Sequence, residues 1–405
     1  MNFLPKWLSW PETQTLIATF EKARVPLRFV GGAVRDALIE KQVTDVDAAT
    51  PFLPEQVISL LEAANIRVIP TGIMHGTVTA IIEKRAFEIT TLRKDTACDG
   101  RHAEVAFTDD WQVDAARRDF TINALYLSPS GELFDYFGGE IDLKAGRVKF
   151  IGDIKTRIEE DYLRILRFFR FYAHYGKTAP DGRAMIACAA QAEKLSTISP
   201  ERIGQEIQKL FTAPKSYHAI SFMDEQRVLL HVLGFILKTR APLRRVEEMA
   251  GAFSGEISVA LKFATIILSA DEVIPPESLQ ERLKLSNVMT DDIRTLLTLA
   301  SSLNANTSFA TLKQWIRRFD KKLTSEAILL SWSVGNDIID TRHPYHAMLT
   351  LVQEWQVPVF PVTGADLIGH GMSEGKTLGD ALRALEDTWE ASDYKMSKEE
   401  LLTRL

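Results

Sequence analysis

Two aspartates, Asp45 and Asp47, are separated by a single valine and could together hold a metal ion. In an extended strand, side chains two residues apart project from the same face, so we predict a strand over residues 43–48 with both carboxylates on one side. Neighbouring carboxylates repel each other unless a divalent cation lies between them. Mg²⁺ prefers hard oxygen ligands and is commonly held by one or two carboxylates together with substrate phosphates. The pair therefore predicts a magnesium site beside a phosphate-bearing substrate.

A pair of glycines, Gly31 and Gly32, precedes these aspartates and indicates where phosphates would lie. Glycine allows the backbone to turn sharply or to approach a ligand closely. Helix-forming residues follow at 33–38, so amide groups at the helix start, together with Arg35, would attract an anion such as a triphosphate. Each motif alone is more often an ordinary turn or an exposed strand edge. Their adjacency in one strand–turn–helix–strand unit indicates a metal-dependent nucleotidyl transfer site.

A charged triplet further along the chain, Arg117, Arg118 and Asp119, is followed by apolar residues. Such a triplet is usually a solvated, salt-bridged surface. The apolar surroundings instead favour a position at the mouth of a pocket, where Arg118 could bind a triphosphate and Asp119 could accept a hydrogen bond from a ribose hydroxyl.

Two further segments lie between these motifs. The pattern predicts a hairpin with strands over 78–82 and 87–92, and Glu88 lies in its second strand. Glu88 is a third acidic group near the metal if that strand lies beside the aspartates, and a surface carboxylate otherwise; both alternatives stay open. Residues 94–104 are polar and lack an apolar period, which predicts a mobile loop.

A helix predicted over residues 157–172 carries Asp161, Arg164, Arg167 and Arg170 at every third position. The simplest interpretation is an amphipathic helix with an ion pair between Asp161 and Arg164. Three arginines among large apolar residues are costly to bury without partners, however, and a nucleotide would supply them. An aspartate and an arginine held together also offer the acceptor and the donors needed to recognise a base edge.

Composition limits the class of protein. The chain has 405 residues, 46% of them hydrophobic and 25% charged, which predicts a folded protein of two to four domains. Its net charge of −6 confines any nucleic-acid surface to a local patch. Cys98 and Cys188 lack partners at metal-ligand spacing, no apolar run approaches a membrane span, and the first residues fit no targeting signal, so we expect a cytoplasmic protein.

From residue 156 onward nearly every segment has helical periodicity. Two basic clusters, at 238–245 and 313–322, are more often solvated faces than nucleic-acid surfaces. Trp315 and Phe319, in the second cluster, are predicted to lie in the core.

Six motifs in order resemble the bacterial class II tRNA nucleotidyltransferases, the family of CCA-adding enzymes and closely related bacterial poly(A) polymerases. They cover about the first 170 residues. The motifs are GGAVRD at 31–36, DVD at 45–47, HGTV at 75–78, EITTLR at 88–93, RRDFTINA at 117–124 and EDYLR at 160–164.

The resemblance implies an α+β fold: a polymerase-beta-like nucleotidyltransferase head followed by an all-α neck, body and tail. The expected domains are a catalytic head over 1–151, a neck for base recognition over 152–215, a body over 216–345 and a tRNA-binding tail over 346–405. It further implies addition of C, C and A to tRNA from CTP and ATP. No membrane and no obligate protein partner are expected. The alternatives are a poly(A) polymerase and a partial CC- or A-adding enzyme.

The resemblance also assigns roles to residues. Asp45 and Asp47 would be catalytic and hold Mg²⁺, and the remaining site residues would bind the nucleotide. The residues of this second group would contact phosphates (Gly32, Arg35 and Arg118), help select ribose (Asp119), pair with the base (Asp161 and Arg164) or lie near the nucleotide (Arg167 and Arg170).

Overall fold

The computed structural model describes residues 3–70, 72–98, 103–213, 216–335 and 339–405; for 95–98, 103–105 and 254 the description covers the backbone. The chain divides into two compact units, Met1–Ile236 with Arg282–Lys284, and Leu237–Glu281 with Leu285–Leu405. Across the ranges described, no helix combines the length and apolar character that crossing a membrane requires.

A seven-stranded mixed sheet forms the centre of the first unit. Its strands are β1 (Arg28–Val30), β2 (Asp47–Thr50), β3 (Arg67–Ile69), β4 (Thr77–Ile82), β5 (Arg85–Thr91), β8 (Leu125–Leu127) and β9 (Leu133–Asp135). They are arranged in the order β3-β4-β5-β2-β1-β8-β9. β2 runs parallel to β5, with Ala48 opposite Ile89, whereas β1 is antiparallel to both of its neighbours. The predicted hairpin of β4 and β5 is confirmed.

The strand predicted over residues 43–48 is shorter than expected and begins at Asp47. Asp45 therefore precedes the strand, in an irregular segment, and the two aspartates do not lie on one paired strand. The alternation nevertheless holds, because Val46 between them is buried while Asp45 is exposed and Asp47 is half-buried.

The prediction of a mobile loop over residues 94–104 is wrong where the backbone is described. Arg93–Cys98 (β6) and Ala103–Phe107 (β7) pair as an antiparallel two-stranded ribbon. The residues at 99–102 lie outside the described ranges. β6 begins with the charged residues Arg93, Lys94 and Asp95, so this part of the sequence shows no apolar alternation that would indicate a strand.

Helices cover the sheet and continue beyond it. Those of the first unit are α1 (Pro11–Lys22), α2 (Gly32–Leu38), α3 (Pro54–Ala63), α4 (Trp111–Ala116), α5 (Gly139–Ala145), α6 (Ile154–Glu160), α7 (Leu163–Tyr175), α8 (Gly182–Ala190), α9 (Pro200–Phe211), α10 (Ser216–Glu225) and α11 (Val228–Leu233). Side chains at their starts supply caps, as where Asp110 accepts from two amides of α4 and Asp153 from one of α6.

The helix predicted over residues 157–172 is broken. α6 ends at Glu160, Asp161 adopts an extended conformation (φ −156°, ψ 105°), and α7 begins at Leu163. The arginines of α7 keep their helical spacing, but Asp161 is no longer on the same continuous ridge. Asp161 Oδ1 instead accepts from the Leu163 amide at 3.1 Å, which occupies one of the free amides at the start of α7.

The second unit is entirely helical in the part that is described. Its helices are α12 (Ala241–Met249), α13 (Val259–Leu268), α14 (Pro276–Leu283, whose last residues belong to the first unit), α15 (Asn287–Ser302), α16 (Phe309–Phe319), α17 (Lys321–Val334), α18 (Pro344–Glu354), α19 (Gly364–Gly369), α20 (Lys376–Ala391) and α21 (Lys398–Leu402). Trp315 and Phe319 are half-buried and line a surface cavity, so the prediction that they are core residues is wrong.

The predicted fold class, a mixed sheet followed by helices, is confirmed. Of the two cysteines, Cys188 is free and buried, and the side chain of Cys98 lies outside the description.

Candidate active site

An open cavity of about 430 Å³ in the first unit gathers most of the residues singled out from the sequence. Its size is within the range typical of small-molecule sites. The charged residues that line it are six arginines and three aspartates: Arg35, Arg117, Arg118, Arg164, Arg167, Arg202, Asp47, Asp119 and Asp161. An excess of positive charge in a concave site favours a polyanionic ligand.

The acidic edge of the site is formed by Asp47 and Glu88. Because β2 and β5 are parallel with Ala48 opposite Ile89, the preceding residues, Asp47 and Glu88, lie side by side. Burial and then the negative charge of Glu88 raise the pKa of Asp47 to about 6; Arg118 opposes this shift and Asp45 adds to it. Glu88 is therefore close enough to act on Asp47 electrostatically, which favours the first of the two alternatives for this residue.

The carboxylates alone do not complete a metal site. Within the described part of the chain, no group of three or more His, Cys, Asp or Glu side chains is arranged to hold an ion. Mg²⁺ is often bound by one or two carboxylates with the remaining positions filled by water and substrate phosphates, and this donor set fits that pattern.

The glycine turn brings the backbone close to two arginines. Gly31 has φ 72° and ψ −124°, a conformation that favours glycine, and a Cβ there would lie 3.7 Å from Arg118 Nη1. A Cβ at Gly32 would lie 3.6 Å from Arg35 Nη2. The helix that follows, α2, spans only seven residues, so the arginines rather than the helix terminus supply most of the positive charge.

Arg35 is held in place by neighbouring polar groups. It donates to both oxygens of Asp36 at 2.9 and 3.0 Å and to Asn123 Oδ1 at 2.6 Å. These bonds use three of its five N–H groups, so two remain for a ligand.

Arg118 is oriented by a buried carboxylate that the sequence did not reveal. Asp114, 1% exposed, accepts from Arg118 Nη2 at 3.2 Å, Arg117 Nε at 2.8 Å and the Tyr126 hydroxyl at 2.6 Å. Tyr126 in turn accepts from Arg118 Nε at 3.2 Å. Burial raises the pKa of Asp114, but Arg118, Arg117 and Tyr126 outweigh it and leave that pKa below its usual value.

Asp119 is fully engaged within the protein. Its Oδ1 accepts from the Phe120 amide and from Asn123 Nδ2, both at 2.9 Å, and its Oδ2 accepts from Arg167 Nε at 2.8 Å. Burial raises the pKa of this carboxyl, yet the Arg167 guanidinium and the two other donors hold the pKa below its ordinary value. Arg167 therefore has a charged partner within the protein, and the prediction that it needs a nucleotide as its partner is wrong.

Asp161 and Arg164 both line the cavity, but they are not an ion pair through their side chains as the simplest interpretation had it. Arg164 Nη1 donates to Glu160 and, at 2.7 Å, to the Arg157 carbonyl oxygen. Asp161 Oδ2 accepts from Arg202 Nη2 at 2.7 Å. The two side chains therefore both line the cavity, but different protein groups hold each of them in place.

Arg170 is the one predicted nucleotide residue that the cavity lining does not include. It pairs instead with the buried Glu206 of α9 at 2.6 Å and lies over the Phe171 ring at 4.2 Å. The costs of burying the arginines of α7 are met by protein carboxylates, which the sequence argument did not consider.

Arg202 and Asp114 are the main site residues that sequence analysis missed. Arg202 and Glu206 are four residues apart on α9, a spacing that places both side chains on one face of the helix and could have indicated a charged face toward α7. Asp114 stands three residues before Arg117, a helical spacing that predicts a contact between them.

Comparison with known proteins gives matches over most of the chain. The Poly A polymerase head domain matches residues 27–149, and the family described as a probable RNA and SrmB-binding site of polymerase A matches residues 180–237. The mitochondrial CCA tRNA nucleotidyltransferase 1 of Danio rerio is 37% identical over 403 residues, which cover 96% of this chain and 89% of that protein. The CCA-adding enzyme of Bacillus subtilis is 29% identical over 397 residues, covering 92% and 93%.

A solved structure shares the fold. The crystal structure of the Bacillus stearothermophilus CCA-adding enzyme in complex with CTP aligns with a TM-score of 0.71 and 24% identity, and covers 98% of both chains. With the ordered motifs and the cavity that joins them, these matches establish the family. The chain belongs to the class II CCA tRNA nucleotidyltransferases, which are in general metal-dependent enzymes.

Proposed function

We propose that this protein adds C, C and A in turn to the 3′ end of tRNA, using CTP and ATP and releasing pyrophosphate. The observation that carries the proposal is the single cavity in which Asp47, Arg118 and the pair Asp161 and Arg164 meet. An acidic group for a metal, a cation for phosphates and a fixed acceptor and donor for a base are the parts that nucleotide transfer without a nucleic-acid template requires.

Mg²⁺ is the metal that best fits the donor set, with Asp45 and Asp47 as catalytic ligands and Glu88 as a third carboxylate beside them. Burial, and then the negative charge of Glu88, raise the pKa of Asp47, and a cation bound there would offset both effects by stabilising the ionised carboxylate. The chemistry that such an ion supplies when bound is activation of the attacking hydroxyl and stabilisation of charge on the phosphoryl oxygens.

The phosphates of the nucleotide lie, in this proposal, against Gly32, Arg35 and Arg118. Arg35 retains two free N–H groups, and Arg118 Nη1 has a single long contact of 3.5 Å to the Asn123 carbonyl oxygen. Because Asp114 and Tyr126 fix the Arg118 guanidinium, its donors are aligned before the nucleotide binds, which lowers the cost of ordering them.

Asp119 contributes to ribose selection. Its four acceptor positions are already occupied, so a ribose hydroxyl must displace one of the existing donors. Two of these donors, Asn123 and Arg167, line the cavity. Arg170 supports Arg167 by binding their shared partner Glu206.

Base selection is the role of Asp161 and Arg164. Cytosine and adenine both carry an exocyclic amino donor, whereas uracil and guanine carry a carbonyl acceptor at the corresponding position. A carboxylate accepts a hydrogen bond from the amino group of cytosine or adenine and repels the carbonyl oxygen of uracil or guanine. The adjacent guanidinium donates to a ring nitrogen of the base. The same pair of side chains can therefore accept both CTP and ATP.

Poly(A) addition is the second candidate, because the matched family models are those of poly(A) polymerases. A polymerase that extends any RNA benefits from a strongly basic surface, and the net charge of −6 favours tRNA addition instead.

The proposed domains are a head (1–151), a neck (152–215), a body (216–345) and a tail (346–405), with tRNA bound by the tail. We also retain a cytoplasmic location, although the Danio rerio relative is named as mitochondrial.

The test is incubation of the purified protein with Mg²⁺, CTP, ATP and tRNA transcripts that end at the discriminator base, followed by sequencing of the 3′ ends. Uniform CCA ends are expected. Ends that stop at CC or a long A tail would select one of the alternatives, and no extension by the wild type would contradict the proposal. Asp47→Ala is expected to abolish transfer, and Arg183→Ala, on an exposed part of α8, serves as the control variant.

A further inference from the structure

The feature that carries a further inference is the bond between Arg202 of α9 and Asp161. Arg202 Nη2 donates to Asp161 Oδ2 at 2.7 Å, and both residues line the cavity. Asp161 stands in the break between α6 and α7, where its backbone is extended rather than helical. The orientation of its carboxylate therefore depends on Arg202 and on the Leu163 amide.

The helix that presents Arg202 is firmly seated. Glu206, one turn further along α9 and 5% exposed, binds Arg170 of α7 at 2.6 Å. Between these two residues, Gly204 packs so closely that a Cβ would lie 2.0 Å from the Leu283 carbonyl oxygen. Contacts on both sides of α9 thus fix the backbone from which Arg202 extends, and a functional side chain is most precise when its support is rigid.

The chemistry of the bond matters for base selection. An ionised carboxylate offers about four acceptor positions, and Arg202 and the Leu163 amide occupy one on each oxygen. The remaining positions are then fixed in direction and can receive an amino group only along defined lines. Charge-assisted bonds from arginine are also stronger than neutral ones, so the carboxylate is held as an acceptor.

We propose that Arg202 is a positioning residue that determines nucleotide specificity: it fixes the Asp161 carboxylate so that CTP and ATP are accepted and UTP and GTP are rejected. The inference rests on the proposed function, in which Asp161 recognises the base. Arg202 acts through Asp161 and does not need to touch the nucleotide.

The experiment compares Arg202→Gln and Arg202→Lys with the wild type. The preference for CTP over UTP, and for ATP over GTP, is measured as a ratio of kcat/KM on tRNA acceptors. Arg202→Gln is expected to lower both ratios about tenfold, the scale of one charge-assisted hydrogen bond. Arg202→Lys, which keeps the positive charge, is expected to recover part of the preference. Arg183→Gln removes an equivalent charge from α8, where the side chain is 86% exposed, and should leave the ratios unchanged.

A double-mutant cycle separates positioning from structural damage. If Arg202 acts through Asp161, Arg202→Gln adds no further loss of preference in an Asp161→Asn background. Additive losses, or a fall in kcat/KM that is equal for all four nucleotides, would overturn the inference. CTP and UTP binding measured by calorimetry without tRNA gives the same comparison independently. If the wild type fails to add CCA, the proposed function fails, while this binding cycle still tests Arg202.

Discussion

Replacement of Asp47 by Asn should stabilise the protein when no divalent cation is present. The pKa of Asp47 is raised from 3.8 to about 6, first by burial and then by Glu88. The folded state therefore favours the protonated carboxyl, so ionisation of this group costs stability. The cost is absent below about pH 3.8 and is complete above about pH 6, and stability falls between these limits.

The size of this effect follows from the pKa. At about 1.4 kcal/mol per pKa unit, a rise from 3.8 to about 6 corresponds to about 3 kcal/mol at pH 7. Solvent reaches part of the half-buried carboxyl, so this value is an upper limit. At pH 5 the carboxyl is mostly protonated in the folded state, and the gain on substitution should be about half as large.

The assay is urea unfolding of the wild type and Asp47→Asn in EDTA at pH 7 and pH 5. Asp45→Asn, at an exposed position, is the matched control and should change the free energy of unfolding by less than about 0.5 kcal/mol. Glu88→Gln should give a smaller gain than Asp47→Asn, because it removes only one cause. Added Mg²⁺ should stabilise the wild type more than Asp47→Asn. A less stable Asp47→Asn protein at pH 7 in EDTA would refute the reasoning.

Three other predictions concern the support of the site. Tyr126→Phe removes one of the two groups that orient Arg118, and we expect a severalfold higher KM for CTP; the unfolding temperature should also fall, because the lost hydroxyl donates to the buried Asp114, and an unchanged KM contradicts the role. Gly204→Ala should lower stability by about 2 kcal/mol in thermal unfolding, whereas Gly182→Ala, which meets nothing within 4 Å, should not. Asp119→Asn should cost about 3 kcal/mol at pH 7, and because the lowered pKa of Asp119 contributes stability only above its unfolded value, this difference should shrink below about pH 4 in unfolding measured from pH 7 to pH 3.

Residue types and order were sufficient to predict the parts of the site that local chemistry determines. The Gly31–Gly32 turn, the half-buried Asp47 and the arginine Arg118 all lie around one cavity, as their spacing indicated. Short-range patterns predict such features because a turn, a strand face and a helix start each depend on a few consecutive residues.

The features that sequence analysis missed depend on residues far apart in the chain. Asp161 and Arg202 are separated by the whole of α7 and α8, so no local pattern joins them. The break at Asp161 has no glycine or proline to signal it, and the side-chain bond to the Leu163 amide takes the place of such a signal. The ribbon of β6 and β7 was missed because β6 begins with three consecutive charged residues, while the alternation of Ala103, Val105 and Phe107 in β7 comes only at the end of the polar stretch.

The parallel pairing of β2 with β5 has a consequence for the order of folding. Glu88 follows Asp47 by roughly 40 residues, and α3, β3 and β4 must form the crossover between them. Closing such a long loop is slow compared with forming the local hairpin of β4 and β5. On this topology we expect the hairpin to form first and to dock onto β2 afterwards, and the repulsion between the two carboxylates would oppose that docking step. A cation that binds between them should accelerate the last stage of sheet assembly, so folding of this protein is expected to be faster in magnesium than in its absence.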